Sequence, residues 1–345
     1  MMRLPHFTFH APREVREAAD LLASAAPGSA MLVAGGTDLL PNMKRRQQVP
    51  STLISLRQVA SLREISNATP STELRAGGLT LGAGVTLTEV VRDIRARCTS
   101  SPHASRAYAG LWQAAAQVAT PHLRNMGTIG GNLCLDTRCN YYDQNYEWRK
   151  AIDFCMKKDG ETCWVALSSP RCLAVSSADT APALVALGAE VTLVSAEGTR
   201  RLALSDLYRN DGIHYLAKEP DELLTEIGIP LSSGRTSAYR KLRRRGSFDF
   251  PVLSVGASVR RENGVVTDAR IVLGAVSSAP VRASAAERHL IGRPLDATAI
   301  AEAAALASGP SRPMDNTDFS FLWRKEMTKK WVADALRATN DGDAA

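Results

Sequence analysis

Cysteine placement constrains this chain more than any other feature. Of its six cysteines, Cys134, Cys139, Cys155, Cys163 and Cys172 fall in one stretch. That stretch opens on Gly127-Thr128-Ile129-Gly130-Gly131-Asn132 and closes on Asp179-Thr180-Ala181-Pro182-Ala183-Leu184. One region therefore holds a glycine turn suited to phosphate and a set of thiols suited to metal. From Cys139 the spacing is C-x15-C-x7-C-x8-C, with Cys134 a further C-x4-C upstream. Four thiolates are what a cubane iron–sulfur cluster requires. Zinc also accepts four cysteines, but its structural knuckles use two close pairs, and no C-x-x-C pair is present. The wide, uneven gaps suit a cluster wrapped by loops better than a zinc ribbon. Unligated thiols are the third reading.

Cys139, Cys155, Cys163 and Cys172 are the candidate ligands. Cys134 lies two residues past Asn132 and is assigned to the glycine turn. Cys98 is isolated and is expected to be a partly buried thiol without a ligand role. Tyr141, Tyr142, Tyr146 and Trp148 can supply apolar cover. Lys157-Lys158-Asp159-Gly160 reads as an exposed turn.

A second glycine turn lies upstream. The apolar strand Met31-Leu32-Val33-Ala34 runs into Gly35-Gly36-Thr37-Asp38. Glycines let successive amide N–H groups converge on a phosphate. An ordinary strand-to-helix turn explains one such sequence; two separated turns can grip both halves of a pyrophosphate. Gly82-Ala83-Gly84 lacks the third glycine and the βα context of a dinucleotide fingerprint, which argues against a Rossmann nicotinamide site.

The 345 residues allow two or three domains. No apolar run approaches the roughly 20 residues of a membrane span. Met1 to His6 shows no secretory signal, so a cytoplasmic location with reduced thiols is expected. The net charge of +7 is modest. The dense basic run Arg240-Lys241-Leu242-Arg243-Arg244-Arg245 has no interleaved stacking aromatics. It reads as solvated or interface surface, and no nucleic-acid partner is expected.

Periodicity predicts helices over Pro12–Ala26, from Thr86 or Thr88 to about Arg97, and over Leu111–Ala119, Ala297–Ser308 and Phe319–Thr339. Strands are expected at Thr52–Leu56, Glu190–Val194 and Asp221–Pro230. Hairpins are expected at Leu74–Val85 and around Asn263-Gly264, where Val252–Arg260 meets Arg270–Val276. A linker-like break falls at Ser232-Ser233-Gly234. No nucleophilic triad, HExxH or P-loop is present.

Taken together, Val33 to Leu40, Thr128 to Asn132, Asp179 to Gly188 and Asp221 to Pro230 resemble the FAD-binding medium subunits of the xanthine dehydrogenase and carbon monoxide dehydrogenase family. The resemblance spans nearly the whole chain. It implies an α+β fold: a two-part PCMH/VAO-type FAD-binding domain over residues 1–231, with a cysteine-rich insertion at about 134–176. A small α+β C-terminal domain, like that of CO dehydrogenase flavoproteins, follows at 235–340. The resemblance places Leu32, Val33, Ala34, Gly35, Gly36, Thr37, Asp38, Thr128, Gly131, Asn132, Asp179, Leu224 and Lys241 near FAD.

The insertion, with Asp136-Thr137-Arg138-Cys139, is similar to that of 4-hydroxybenzoyl-CoA reductase β subunits. That likeness implies a [4Fe–4S] cluster, a molybdenum-cofactor large subunit, a [2Fe–2S] small subunit, ferredoxin as donor and a dimer of heterotrimers. Substrate chemistry would then occur in the partner subunit, so no catalytic acid or base is expected here. The alternatives are the flavin subunit of an oxidative molybdenum hydroxylase, acting on an aldehyde or N-heterocycle, and a zinc-stabilised binding module.

Overall fold

The computed structural model describes residues 3–68, 78–100, 102–230 and 234–340. Three sheets organise an α+β fold. The first is parallel: Thr52–Ser55 lies between Thr8–His10 and Ala30–Val33. Helix Val15–Ser24 buries Ala18, Ala19 and Leu22, one helical face, against Ile54 and Leu223. The helix is shorter than expected because Glu14 and Ala25 are both extended.

The second sheet has five strands in the order Ile65–Ala68, Gly78–Gly82, Leu223–Pro230, Glu190–Val194, Thr199–Ala203. All its pairings are antiparallel. Its central strand arrives after the cysteine-rich stretch and pairs with Gly78–Gly82, which precedes that stretch. The cysteines are thus looped out of a continuous sheet. Of the expected Leu74–Val85 hairpin, only Gly78 to Val85 is described. Leu74 to Gly77 lie outside the described residues, and Gly78–Gly82 is one strand paired on both edges. Helices Leu87–Ser100, Pro102–Ala116 and Pro121–Arg124 lead into the second glycine turn. The side chain of Cys98 lies outside the described residues.

The third sheet is antiparallel, running Val281–Arg282, Val265–Gly274, Leu253–Glu262, Arg235–Leu242. Asn263 and Gly264 both have positive φ, as a tight hairpin turn requires. Helices Ser284–Leu290, Ala297–Ala307 and Phe321–Asn340 contribute to the apolar core of this sheet. The edge strand Arg235–Leu242 has no counterpart in the sequence expectation. It takes up the first half of the basic run, so the run is not uniformly solvated: Lys241 is buried, while Arg244 and Arg245 are exposed.

Helix Thr180–Leu187 is buried along its whole length. It packs so closely on the third sheet that a Cβ on Gly256 would fall 2.4 Å from the Pro182 carbonyl oxygen. Asp179, at its start, is thereby fixed deep in the protein. Among the described residues no helix is long and apolar enough to cross a membrane.

Candidate functional site

The two glycine turns meet. Strand Ala30–Val33 delivers Gly35 and Gly36, the latter at φ +69°. A Cβ on Gly35 would lie 1.9 Å from the Met126 carbonyl oxygen, so the first turn rests directly on the backbone that enters the second. Thr128 caps the short helix Ile129–Leu133, its hydroxyl accepting from Gly131 N–H at 3.1 Å. Asn132 Oδ1 accepts from the Thr180 N–H (3.1 Å) and hydroxyl (2.6 Å), which ties the turn to the buried helix.

Between these elements lies a cleft of about 1890 Å³ free of protein atoms, part of it open to solvent. Leu32 to Asp38, Thr128, Gly131, Asn132 and Asp179 line it. Leu224 and Lys241 do not. Leu224 is buried in its strand. Lys241 stands behind Asp179, donating to its carboxylate at 3.0 Å and to the Gln117 carbonyl at 3.0 Å. Tyr239 donates its hydroxyl to Asp179 at 2.6 Å. Burial pushes the Asp179 carboxyl above its ordinary range, against the pull of Lys241 and Tyr239. Burial likewise pulls the Lys241 ammonium down, against Asp179. Breaking such a buried pair from one side costs about 3–5 kcal/mol.

The cleft suits a large phosphate-bearing cofactor. Its walls are backbone at both glycine turns, and a Cβ on Gly131 would meet only the Thr128 hydroxyl. The Ser177 hydroxyl lies on its wall, buried and without a hydrogen-bond partner among the described residues. Arg45, Arg138 and Arg245 bring positive charge, and Phe248 and Phe250 bring exposed aromatic surface. Arg138 pairs with Asp38 and Asp143 and lies 4.8 Å from the Phe250 ring. Sequence reasoning did not single these out as cleft residues. Arg138 sits next to a candidate ligand and Arg245 within the basic run, which were the only signals.

Beside the cleft is a second cavity of about 250 Å³ by the same measure. Cys139, Cys155, Cys163 and Cys172 all line it. Cys155 is held by its own loop: its carbonyl accepts from Lys158 N–H (2.8 Å) and Gly160 N–H (3.2 Å), and Met156 N–H donates to the Thr162 carbonyl. The Cys172 carbonyl accepts from Gly212 N–H at 2.9 Å. Burial pushes the Cys139 thiol up to about 12 and the Cys172 thiol up to about 11, with neighbouring thiols adding to both. Each of these cysteines is free. Among the described residues no group of three or more His, Cys, Asp or Glu side chains could share one metal ion.

Cys134 lines the cleft instead of this cavity. Tyr141 and Tyr142 line the thiol cavity, joined by Trp164. Tyr146 and Trp148 do not. They are 45% and 39% exposed, because their short helix lies at the surface of the insertion. The expected exposed turn at Lys157 to Gly160 also needs correction: the Lys157 side chain is only 6% exposed and points into the protein. The two cavities share a wall. Arg138 lines the cleft and Cys139, the next residue, lines the thiol cavity.

A family model for the FAD binding domain in molybdopterin dehydrogenase matches residues 5–232. One for the CO dehydrogenase flavoprotein C-terminal domain matches residues 237–339. The chain belongs to the FAD-binding medium subunits of the xanthine and CO dehydrogenase family, the flavin subunits of molybdenum hydroxylases. The aldehyde oxidoreductase FAD-binding subunit PaoB of Escherichia coli is 34% identical over 294 residues, covering 82% of this chain and 86% of that protein. The carbon monoxide dehydrogenase medium chain of Afipia carboxidovorans is 28% identical, with 89% and 87% covered. The solved carbon monoxide dehydrogenase from Hydrogenophaga pseudoflava superposes with a TM-score of 0.76 at 26% identity, over 99% of this chain and 100% of that one.

Proposed function

We propose that this chain is the electron-relay subunit of a molybdenum hydroxylase, holding FAD in the cleft and a [4Fe–4S] cluster in the thiol cavity. The observation that carries the reading is the meeting of four buried thiols in one cavity, one peptide bond from the cofactor cleft. A cubane cluster takes four thiolates; zinc accepts four as well, and iron and zinc analysis of the purified protein separates the two.

In this reading the Gly35 to Asp38 turn presents its backbone N–H groups to the pyrophosphate, and Leu32 to Ala34 line the wall beside it. The N–H groups of Ile129 to Asn132 are spent on Val85, Ala83 and Thr128, so Thr128, Gly131 and Asn132 bound the site by their shape and close approach. Asp179 lines the cleft and Lys241 fixes it from behind. Leu224 supports the same wall from the sheet. Cys139, Cys155, Cys163 and Cys172 are the cluster ligands. FAD exchanges electrons in pairs or singly, and a cluster exchanges them one at a time. The protein supplies a fixed cleft and, across a shared wall, a cavity lined by buried thiols. Substrate is transformed in a molybdenum-cofactor large subunit, with a [2Fe–2S] small subunit completing a heterotrimer and two heterotrimers forming a dimer. Buried, unpaired thiols fit a reducing cytoplasm.

Likeness to an aldehyde oxidoreductase subunit at 34% identity favours aldehyde oxidation, with electrons leaving molybdenum towards FAD. The second reading is 4-hydroxybenzoyl-CoA reductase, in which ferredoxin electrons flow inward to remove a phenolic hydroxyl. The Asp136-Thr137-Arg138-Cys139 segment and the cysteine gaps favour it. Assay of the assembled enzyme separates the two. Aldehyde-dependent reduction of a dye or quinone supports the first reading. Dehydroxylation of 4-hydroxybenzoyl-CoA driven by reduced ferredoxin, without aldehyde turnover, overturns it.

A further inference from the structure

The wall between the two cavities contains a locked charge. Lys157 is the one charged side chain among the described residues lining the thiol cavity. Its ammonium donates to Asp136 Oδ1 (2.8 Å), Thr137 Oγ1 (2.8 Å) and the Gly212 carbonyl (2.7 Å). An ammonium has three donors, and all three are used. The faces of Tyr142 and Tyr215 lie 4.9 Å and 5.6 Å away. The partner Asp136 is 10% exposed and lines the other side of the wall, in the cofactor cleft. Gln48 donates a further hydrogen bond to Asp136 at 3.2 Å. The positive end of the pair therefore borders the thiols and the negative end borders the cleft.

We propose that Lys157 and Asp136 are positioning residues that set the redox balance between the two cavities: the Lys157 ammonium favours reduction on the thiol side, and Asp136 opposes it. The proposal rests on the reading that the four thiols hold an iron–sulfur cluster. Reduction adds a negative charge to such a cluster, and a fixed cation nearby stabilises the reduced form. Low exposure keeps that interaction from being screened away. A purely structural role, tying the Asp136 segment to the loop at Gly212, would need the hydrogen bonds but would leave the potential alone.

The test is an EPR-monitored redox titration of the full-length chain, purified anaerobically, with iron and flavin counted on each sample. In Lys157→Gln the cluster midpoint potential should fall. In Asp136→Asn it should rise. Lys157→Arg, which keeps the charge, should stay near the wild-type value. Opposite shifts in the two neutralising variants, at unchanged iron content, support the proposal. Unchanged potentials in both overturn it. If Lys157→Gln loses iron, the other two variants carry the test: a raised potential in Asp136→Asn with an unshifted one in Lys157→Arg supports tuning, and an unshifted potential in Asp136→Asn overturns it in favour of a structural role. A wild-type chain without iron overturns the cluster reading itself, and the iron count distinguishes that outcome from a failure of tuning.

Discussion

The cofactor cleft and the thiol cavity are neighbours built on different principles. The cleft is made by backbone. Glycine turns some ninety residues apart rest on one another, and the parallel sheet, the buried helix and the third sheet hold them there. The thiol cavity is made by side chains from one looped-out segment, with little regular structure of its own. A backbone cradle tolerates changes of side chain but not an added Cβ. A side-chain cavity tolerates backbone variety but not the loss of a ligand. Substitutions should therefore separate the two sites cleanly.

Cys155→Ser has the largest expected effect on one site alone. It should abolish stable cluster binding while FAD content stays at the wild-type level, as iron and flavin analysis of the purified variant would show. Parallel loss of flavin would mean that the two sites are not independent. Lys241→Met comes next. It leaves the Asp179 charge buried without its partner, at a cost of about 3–5 kcal/mol in denaturant unfolding. Adding Asp179→Asn should recover part of that loss, since the stranded charge is then gone.

Gly35→Val should cost about 1–3 kcal/mol, because the new side chain collides with the Met126 carbonyl. FAD affinity should fall at least about tenfold, the equivalent of 1.4 kcal/mol, with iron content unchanged. The smallest effect is expected from Thr128→Ala. Loss of the cap costs about 1 kcal/mol, and flavin titration should show a few-fold weaker binding.

The same contrast explains what could be read in the sequence. Gly35-Gly36-Thr37 and Gly130-Gly131-Asn132 are contiguous, so each turn announces itself, and their pairing suggested one ligand. The convergence of four cysteines was legible as a count and a spacing. Polar partners were not. Lys157 looked like part of an exposed turn because its partners, Asp136 and Gly212, are far away in sequence. Lys241 looked like one more charge in a basic run because Asp179 reaches it only through the packing of helix Thr180–Leu187. Strand Arg235–Leu242 was hidden for a related reason: Arg235 is buried by pairing with Ser258 and Asp268, contacts that exist only once the sheet has formed. Tyr146 and Trp148 show the converse, since aromatic character alone does not reveal which face of an insertion is turned outward.

The central claim is that a metal cluster stands one wall away from a flavin. Iron, sulfide, zinc and flavin content of the anaerobically purified full-length chain tests it most directly. About four irons together with one FAD are expected. One zinc per chain, or bound FAD with no metal, would contradict it and leave a flavin subunit whose four buried thiols bind no cluster.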